Sequence, residues 1–105
     1  MRYRFRATVW KVTGERAWHF LTLPFEVSDE IDELGASHRR GFGSMRVIAT
    51  IGSTTWSTSV FPDSKAKSYV LPVERSVRAA EGIVTGDEVA IGVRLEHDGT
   101  SVPPR

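Results

Sequence analysis

Residues 2–9 alternate without a break. Tyr3, Phe5, Ala7 and Val9 fall on one side of an extended chain, and Arg2, Arg4 and Arg6 fall on the other. A period of two is the signature of a strand with one buried face. Trp10 and Val12 then fall on the arginine side, which predicts either a bulge that twists the strand near Val9 or a cover over both faces. Gly14-Glu15 reads as a turn, and a second strand is expected over Ala17–Leu23, stopped by Pro24.

The pattern then changes period. Val27, Ile31 and Leu34 are spaced i, i+4, i+7, which predicts a short helix over 28–34 with Ser28 as its N-cap and Gly35 just past its end. Met45, Val47, Ala49 and Ile51 alternate up to Gly52-Ser53, and Trp56, Thr58 and Val60 alternate beyond it. Two β-rich runs joined by a Gly-X pair predict a hairpin with a type II′ turn, ending at Phe61-Pro62-Asp63. On this pattern Trp56 is a core residue, buried with Val47, Ile51, Val89 and Ile91. Lys67–Leu71 reads as a short strand. Pro72 is expected to open a second helix with Val73, Val77 and Ala80 as its buried stripe and Gly82 as its stop. After a turn at Gly86-Asp87, Val89, Ile91, Val93 and Leu95 alternate with Glu88, Ala90, Gly92 and Arg94.

Strands outnumber helices by about six to two, and no regular strand-helix-strand alternation appears. The expected fold is mainly β: a small, closed or partly closed antiparallel barrel with two short helices at its ends. One domain is expected over 1–97, with 98–105 as a tail because Asp98-Gly99 and Pro103-Pro104 break any periodicity.

Composition removes several function classes. The 105-residue chain has no cysteine, so disulfides, thiolate nucleophiles and cysteine metal sites are excluded. No run approaches the ~18 apolar residues of a membrane span. The opening MRYRFRATVW lacks the unbroken apolar segment of a secretory signal, so no membrane partner and a cytoplasmic location are expected. The net charge of +1 conceals an uneven distribution. Five of the 13 acidic residues, Glu26, Asp29, Glu30, Asp32 and Glu33, form a cluster that is mainly the solvated face and first turn of the first helix. Fourteen basic residues therefore face eight acidic ones elsewhere.

No catalytic constellation is visible. His19, His38 and His97 lie too far apart for a local metal clamp, and no metal or cofactor is expected. Ser57 and Ser59 sit beside Trp56 without a nucleophile elbow or a neighbouring base. Gly41-Phe42-Gly43 lacks the third glycine of a dinucleotide loop and precedes a strand, so it reads as a tight bend. The remaining signal is arginine: Arg39, Arg40, Arg46, Arg75 and Arg78 flank that bend and the second helix, alongside Trp56 and Phe61. Forked guanidinium donors beside aromatic rings are the chemistry of an anion or nucleotide site. The candidate ligand-binding residues are accordingly Arg40, Gly41, Arg46, Trp56, Ser59 and Arg78.

Residues 40–63, RGFGSMRVIATIGSTTWSTSVFPD, and residues 69–89, YVLPVERSVRAAEGIVTGDEV, resemble the domain-of-unknown-function (DUF) family numbered 1905. The opening FRATVW and the run ending at Leu23-Pro24 fit as well. The resemblance implies a small β-barrel of the double-split kind and carries no activity. A second resemblance, over Leu71–Val93, is to the swapped-hairpin element of AbrB-like regulators and MazE-like antitoxins, in which two such elements interlock and bind DNA. The leading functional expectation is a non-catalytic binding or interaction module, monomeric or homodimeric, taking a small anionic ligand or a protein partner. The alternative is an AbrB-like nucleic-acid-binding regulator.

Overall fold

The computed structural model describes residues 2–13, 18–34 and 43–96. The strands are β1 (Arg2–Thr8), β2 (Trp10–Lys11), β3 (His19–Thr22), β4 (Met45–Ile51), β5 (Thr54–Asp63), β6 (Ser68–Pro72) and β7 (Glu88–Leu95). The helices are α1 (Phe25–Leu34) and α2 (Arg75–Glu81). All strand pairs are antiparallel, in the order β1-β7-β4-β5-β6-β3-β2.

That order forces curvature. β1 and β2 occupy opposite ends of the sheet, yet only Val9 separates them in the chain. In a flat seven-strand sheet they would lie roughly 29 Å apart, and one residue spans about 3.4 Å. The sheet therefore rolls into a half-barrel. Val9 makes the crossing. Its N–H donates to the Asp87 carbonyl, its carbonyl accepts from the Gly86 N–H, both at 2.8 Å, and its side chain is buried. The break expected near Val9 is this change of partners, and it adds β2 as a seventh strand.

Alternation decides what the curl encloses. Tyr3, Phe5 and Ala7 on β1 pair with Val93, Ile91 and Val89 on β7, so all six share the inner face. β4 adds Val47, Ala49 and Ile51, and Leu21, Val60 and Leu71 come from the other strands. Each fully buried Leu, Val or Ile contributes about 1.5–3 kcal/mol by leaving water. The hairpin forms as expected, with Met45 opposite Val60 and Ile51 opposite Thr54. Gly52 has φ +58 and Ser53 does not have positive φ, the pattern of a type II′ turn. Val47, Ile51 and Ile91 are buried, whereas Val89 and Trp56 are only partly buried against the core.

Both helices begin elsewhere than the pattern predicts. α1 starts at Phe25, because the Ser28 N–H closes a turn on the Pro24 carbonyl at 2.9 Å. Ser28 is thus an interior residue, buried, and its Oγ accepts the Tyr69 N–H at 3.0 Å. Leu34 and Phe25 are exposed, and Ile31 carries the buried face. The acidic face is not wholly solvated, since Glu30 accepts a hydrogen bond from the Tyr3 hydroxyl and Asp32 one from the Tyr69 hydroxyl. Pro72 ends β6 opposite Phe20 instead of opening a helix, and α2 begins at Arg75. Val73 and Val77 are buried but Ala80 is exposed. Gly82 stops α2 in the left-handed conformation, φ 65 and ψ 38, as expected of a C-terminal glycine. The Gly14-Glu15 turn, the Gly35 cap, His38, Arg39, Arg40, Gly41, Phe42 and the 98–105 tail lie outside the described residues. No helix among the described residues is long and apolar enough to cross a membrane.

Candidate functional site: an arginine-walled trough

Where the inner face of a strand is committed to the core, the intervening residues must point outward. On β1 those residues are Arg2, Arg4 and Arg6, and on β7 they are Ala90, Gly92 and Arg94. The register sets Arg2 opposite Arg94, Arg4 opposite Gly92 and Arg6 opposite Ala90. On the other side of β7, Arg94 meets Ile48 and Gly92 meets Thr50 on β4. Thr50 in turn faces Thr55 on β5, with their hydroxyls 2.9 Å apart.

Long side chains on β1 and at Arg94 thus surround a floor of Ala90, Gly92, Thr50 and Thr55. The result is an open trough of about 580 Å³. Two of its features work against stability. Like charges directly opposite each other across an antiparallel pair repel, and Arg2 and Arg94 are such a pair. Glycine in mid-strand costs about 0.5–1 kcal/mol relative to alanine. Gly92 has no positive φ, and a Cβ added to it would meet only ordinary contacts, 3.9 Å from the Tyr3 carbonyl oxygen and 4.0 Å from Arg4 Cγ. Neither packing nor backbone conformation requires the glycine. Its effect is to leave the floor bare.

The arginines of the trough differ in their commitments. Arg6 Nε lies 3.2 Å from Glu88 Oε1, an exposed ion pair. Arg2, Arg4 and Arg94 have no acidic partner among the described residues. A guanidinium remains charged at any physiological pH.

The residues chosen from the sequence are placed differently. Arg46 and Ser59 do come together on the outer face of the hairpin. Arg46 donates to Ser57 Oγ at 2.6 Å and to Ser59 Oγ at 3.2 Å, and its Nε lies 3.4 Å from Glu96 Oε1. Ser57 also donates to Glu96 at 3.0 Å, so the charge sits inside a closed local network. Trp56 lies opposite Ala49 on the inner face, away from Arg46 and Ser59. Its Nε1 is buried without a hydrogen-bond partner. Arg78, on α2, donates to the Val73 carbonyl at 2.6 Å and so ties the helix to the preceding chain. Arg40 and Gly41 lie outside the described residues. Sequence reasoning set Arg2, Arg4 and Arg6 on one face but missed them as a site, because Arg94 and Gly92 join them only through strand pairing.

On the inner side of β1, at the solvent-exposed end of the ring, the Tyr3 hydroxyl donates to Glu30 Oε1 at 3.0 Å. Burial, the hydrogen bond to Glu30 and the Glu30 charge push the phenol pKa up to about 12. Among the described residues, no group of three or more His, Asp or Glu could hold a metal.

A rolled seven-strand sheet with two helices and a polar trough on its outer face defines a small half-barrel domain. The chain belongs to the family described as Domain of unknown function (DUF1905), whose profile matches residues 5–93. No curated protein gives a significant match.

Proposed function

We propose that the domain is a non-catalytic binding module whose ligand is an anion seated in the trough between β1 and β4. The observation that carries this reading is the set of three acid-free guanidinium groups, Arg2, Arg4 and Arg94, around a bare floor. Forked donors of this kind match phosphate or carboxylate oxygens, which would also remove the Arg2–Arg94 repulsion on binding. Binding without catalysis follows from the same residues. Arginine does not exchange protons near neutral pH, and among the described residues the Thr50 and Thr55 hydroxyls bond each other and no base.

The test is calorimetric titration at low salt with inorganic pyrophosphate and with a mononucleotide. Saturable binding is expected for the wild type and is expected to be lost in Arg4→Ala and Arg94→Gln. Arg46→Ala should bind as the wild type does. Loss of binding in Arg46→Ala with retention in Arg94→Gln would place the ligand at the hairpin network instead. Absence of saturable binding by either anion would refute the reading.

A further inference from the structure

The outward residues of β1 lead into a second feature. Past Thr8 and the buried Val9, the next outward side chain is Trp10. Its indole lies 5.1 Å from the Phe20 ring, and Phe20 in turn stacks against Trp18 at 6.3 Å with an interplanar angle of 14°. Trp10 Nε1 donates to Thr22 Oγ1 at 2.9 Å, which fixes its ring on the outer side of β3. The last ring of the ladder, Trp18, is 51% exposed. Among the described residues, no core contact explains a half-exposed tryptophan held flat against a neighbouring ring.

The arginines and Trp10, the first ring of the ladder, therefore share the outer side of one continuous run of chain. Arg2 and Arg4, the two arginines of β1 with no acidic partner among the described residues, lie two residues and about 6.7 Å apart. That is comparable to the distance between successive phosphates along an extended nucleic-acid strand. From Arg4 to Trp10 the chain reaches at most about 20 Å. Cationic side chains that track a backbone, followed by rings on which bases stack, are the combination used for single strands. A duplex keeps its bases stacked inside and offers none to Trp18. An isolated anion needs no ladder. A carboxylate-rich peptide would use the arginines and leave the rings unexplained.

We infer that the anion taken by this domain is the backbone of a single-stranded nucleic acid, with phosphates on Arg2, Arg4 and Arg94 and a base stacked on Trp18. This rests on the anion-binding reading above. Recognition would be largely independent of sequence, because Thr50, Thr55 and Gly92 on the trough floor lack the paired donors that read base edges.

The experiment is tryptophan-fluorescence and anisotropy titration with an oligothymidylate of about a dozen nucleotides. An abasic backbone of the same length, a DNA duplex and polyglutamate are compared with it. The oligothymidylate should quench fluorescence and bind at least about fivefold more tightly than the abasic chain, the effect expected of one stacked base. That advantage should vanish in Trp18→Ala and return in Trp18→Phe, which keeps a stacking ring. With three phosphates neutralised, affinity should fall about 20-fold between about 50 and 200 mM salt, and less steeply in Arg4→Ala. Equal binding of abasic chain and oligothymidylate, equal or tighter binding of duplex, or no effect of Trp18→Ala would overturn the inference. Pyrophosphate binding would still stand in each case. Polyglutamate binding as tightly as the oligonucleotide would also overturn it and indicate an acidic protein partner. Failure of every polyanion, pyrophosphate included, would remove the anion-binding reading as well.

Discussion

Arg94→Gln should make the domain more stable while abolishing anion binding. Arg94 sits directly opposite Arg2 across the β1–β7 pair, and neither has an acidic partner among the described residues. Like charges so placed destabilise by a few tenths to about 1 kcal/mol. Glutamine removes the charge and keeps part of the aliphatic stem that covers the strand. A gain of about 0.5 kcal/mol would raise the melting temperature of a domain this size by about 2–4 °C. The gain is electrostatic, so it must shrink with salt: the screening length falls from about 10 Å at 0.1 M to about 3 Å at 1 M. Two controls isolate the cause. Arg94→Lys keeps the charge and should give no gain. Arg6→Gln removes an exposed pair with Glu88 and should be neutral or slightly destabilising. Thermal and denaturant unfolding of the four proteins at both salt concentrations measures this. A loss of more than about 0.5 kcal/mol in Arg94→Gln, or a gain that persists undiminished at 1 M salt, would refute the repulsion argument.

Two further predictions concern the inner side of the sheet. Ser28→Ala deprives the buried Tyr69 N–H of its acceptor at 3.0 Å and should cost about 1–3 kcal/mol in denaturant unfolding; a cost below about 0.5 kcal/mol would contradict the assigned bond. Tyr3, with its pKa pushed to about 12, holds its proton in the folded state after the unfolded chain has lost it near pH 10. The folded state then binds more protons, so this contribution is complete below about pH 10 and is lost as pH rises from there to about 12. Tyr3→Phe should remove that part of the pH dependence, and the ultraviolet difference titration of wild type against Tyr3→Phe should show the Tyr3 phenol ionising late.

What could be read from the sequence was whatever depends on neighbours in the chain. The β4–β5 hairpin, the two faces of β1 and β7 and the glycine stop of α2 all follow from local period and turn chemistry. The start of α1 was hidden because Ser28 is a good N-cap by type, and only the buried Tyr69 N–H on β6 shows why it sits inside the helix. Pro72 suits a helix start equally well, and its pairing with Phe20 on β3 decides against that. The site was hidden for the same reason. Arg46, Ser59 and Arg78 lie near the hairpin and the second helix in sequence, but their donors are used locally, in the Glu96 network and on the Val73 carbonyl. Arg2 and Arg94 become neighbours only when the last strand pairs with the first.

The division of labour across β1 and β7 explains how one small sheet can carry an unfavourable surface. Tyr3, Phe5, Ile91 and Val93 hold the core from the inner side, where every position favours burial. The outer side of the same two strands breaks two rules of sheet stability, a like-charge pair at Arg2 and Arg94 and a mid-strand glycine at Gly92. Because side chains alternate with a period of two, these costs fall on a face that the core does not use. Departures from folding rules that gather on one exposed face, with no compensating contact among the described residues, are where a functional surface is expected. Their concentration around one trough is the reason for assigning function to this face in preference to the arginine network of the hairpin.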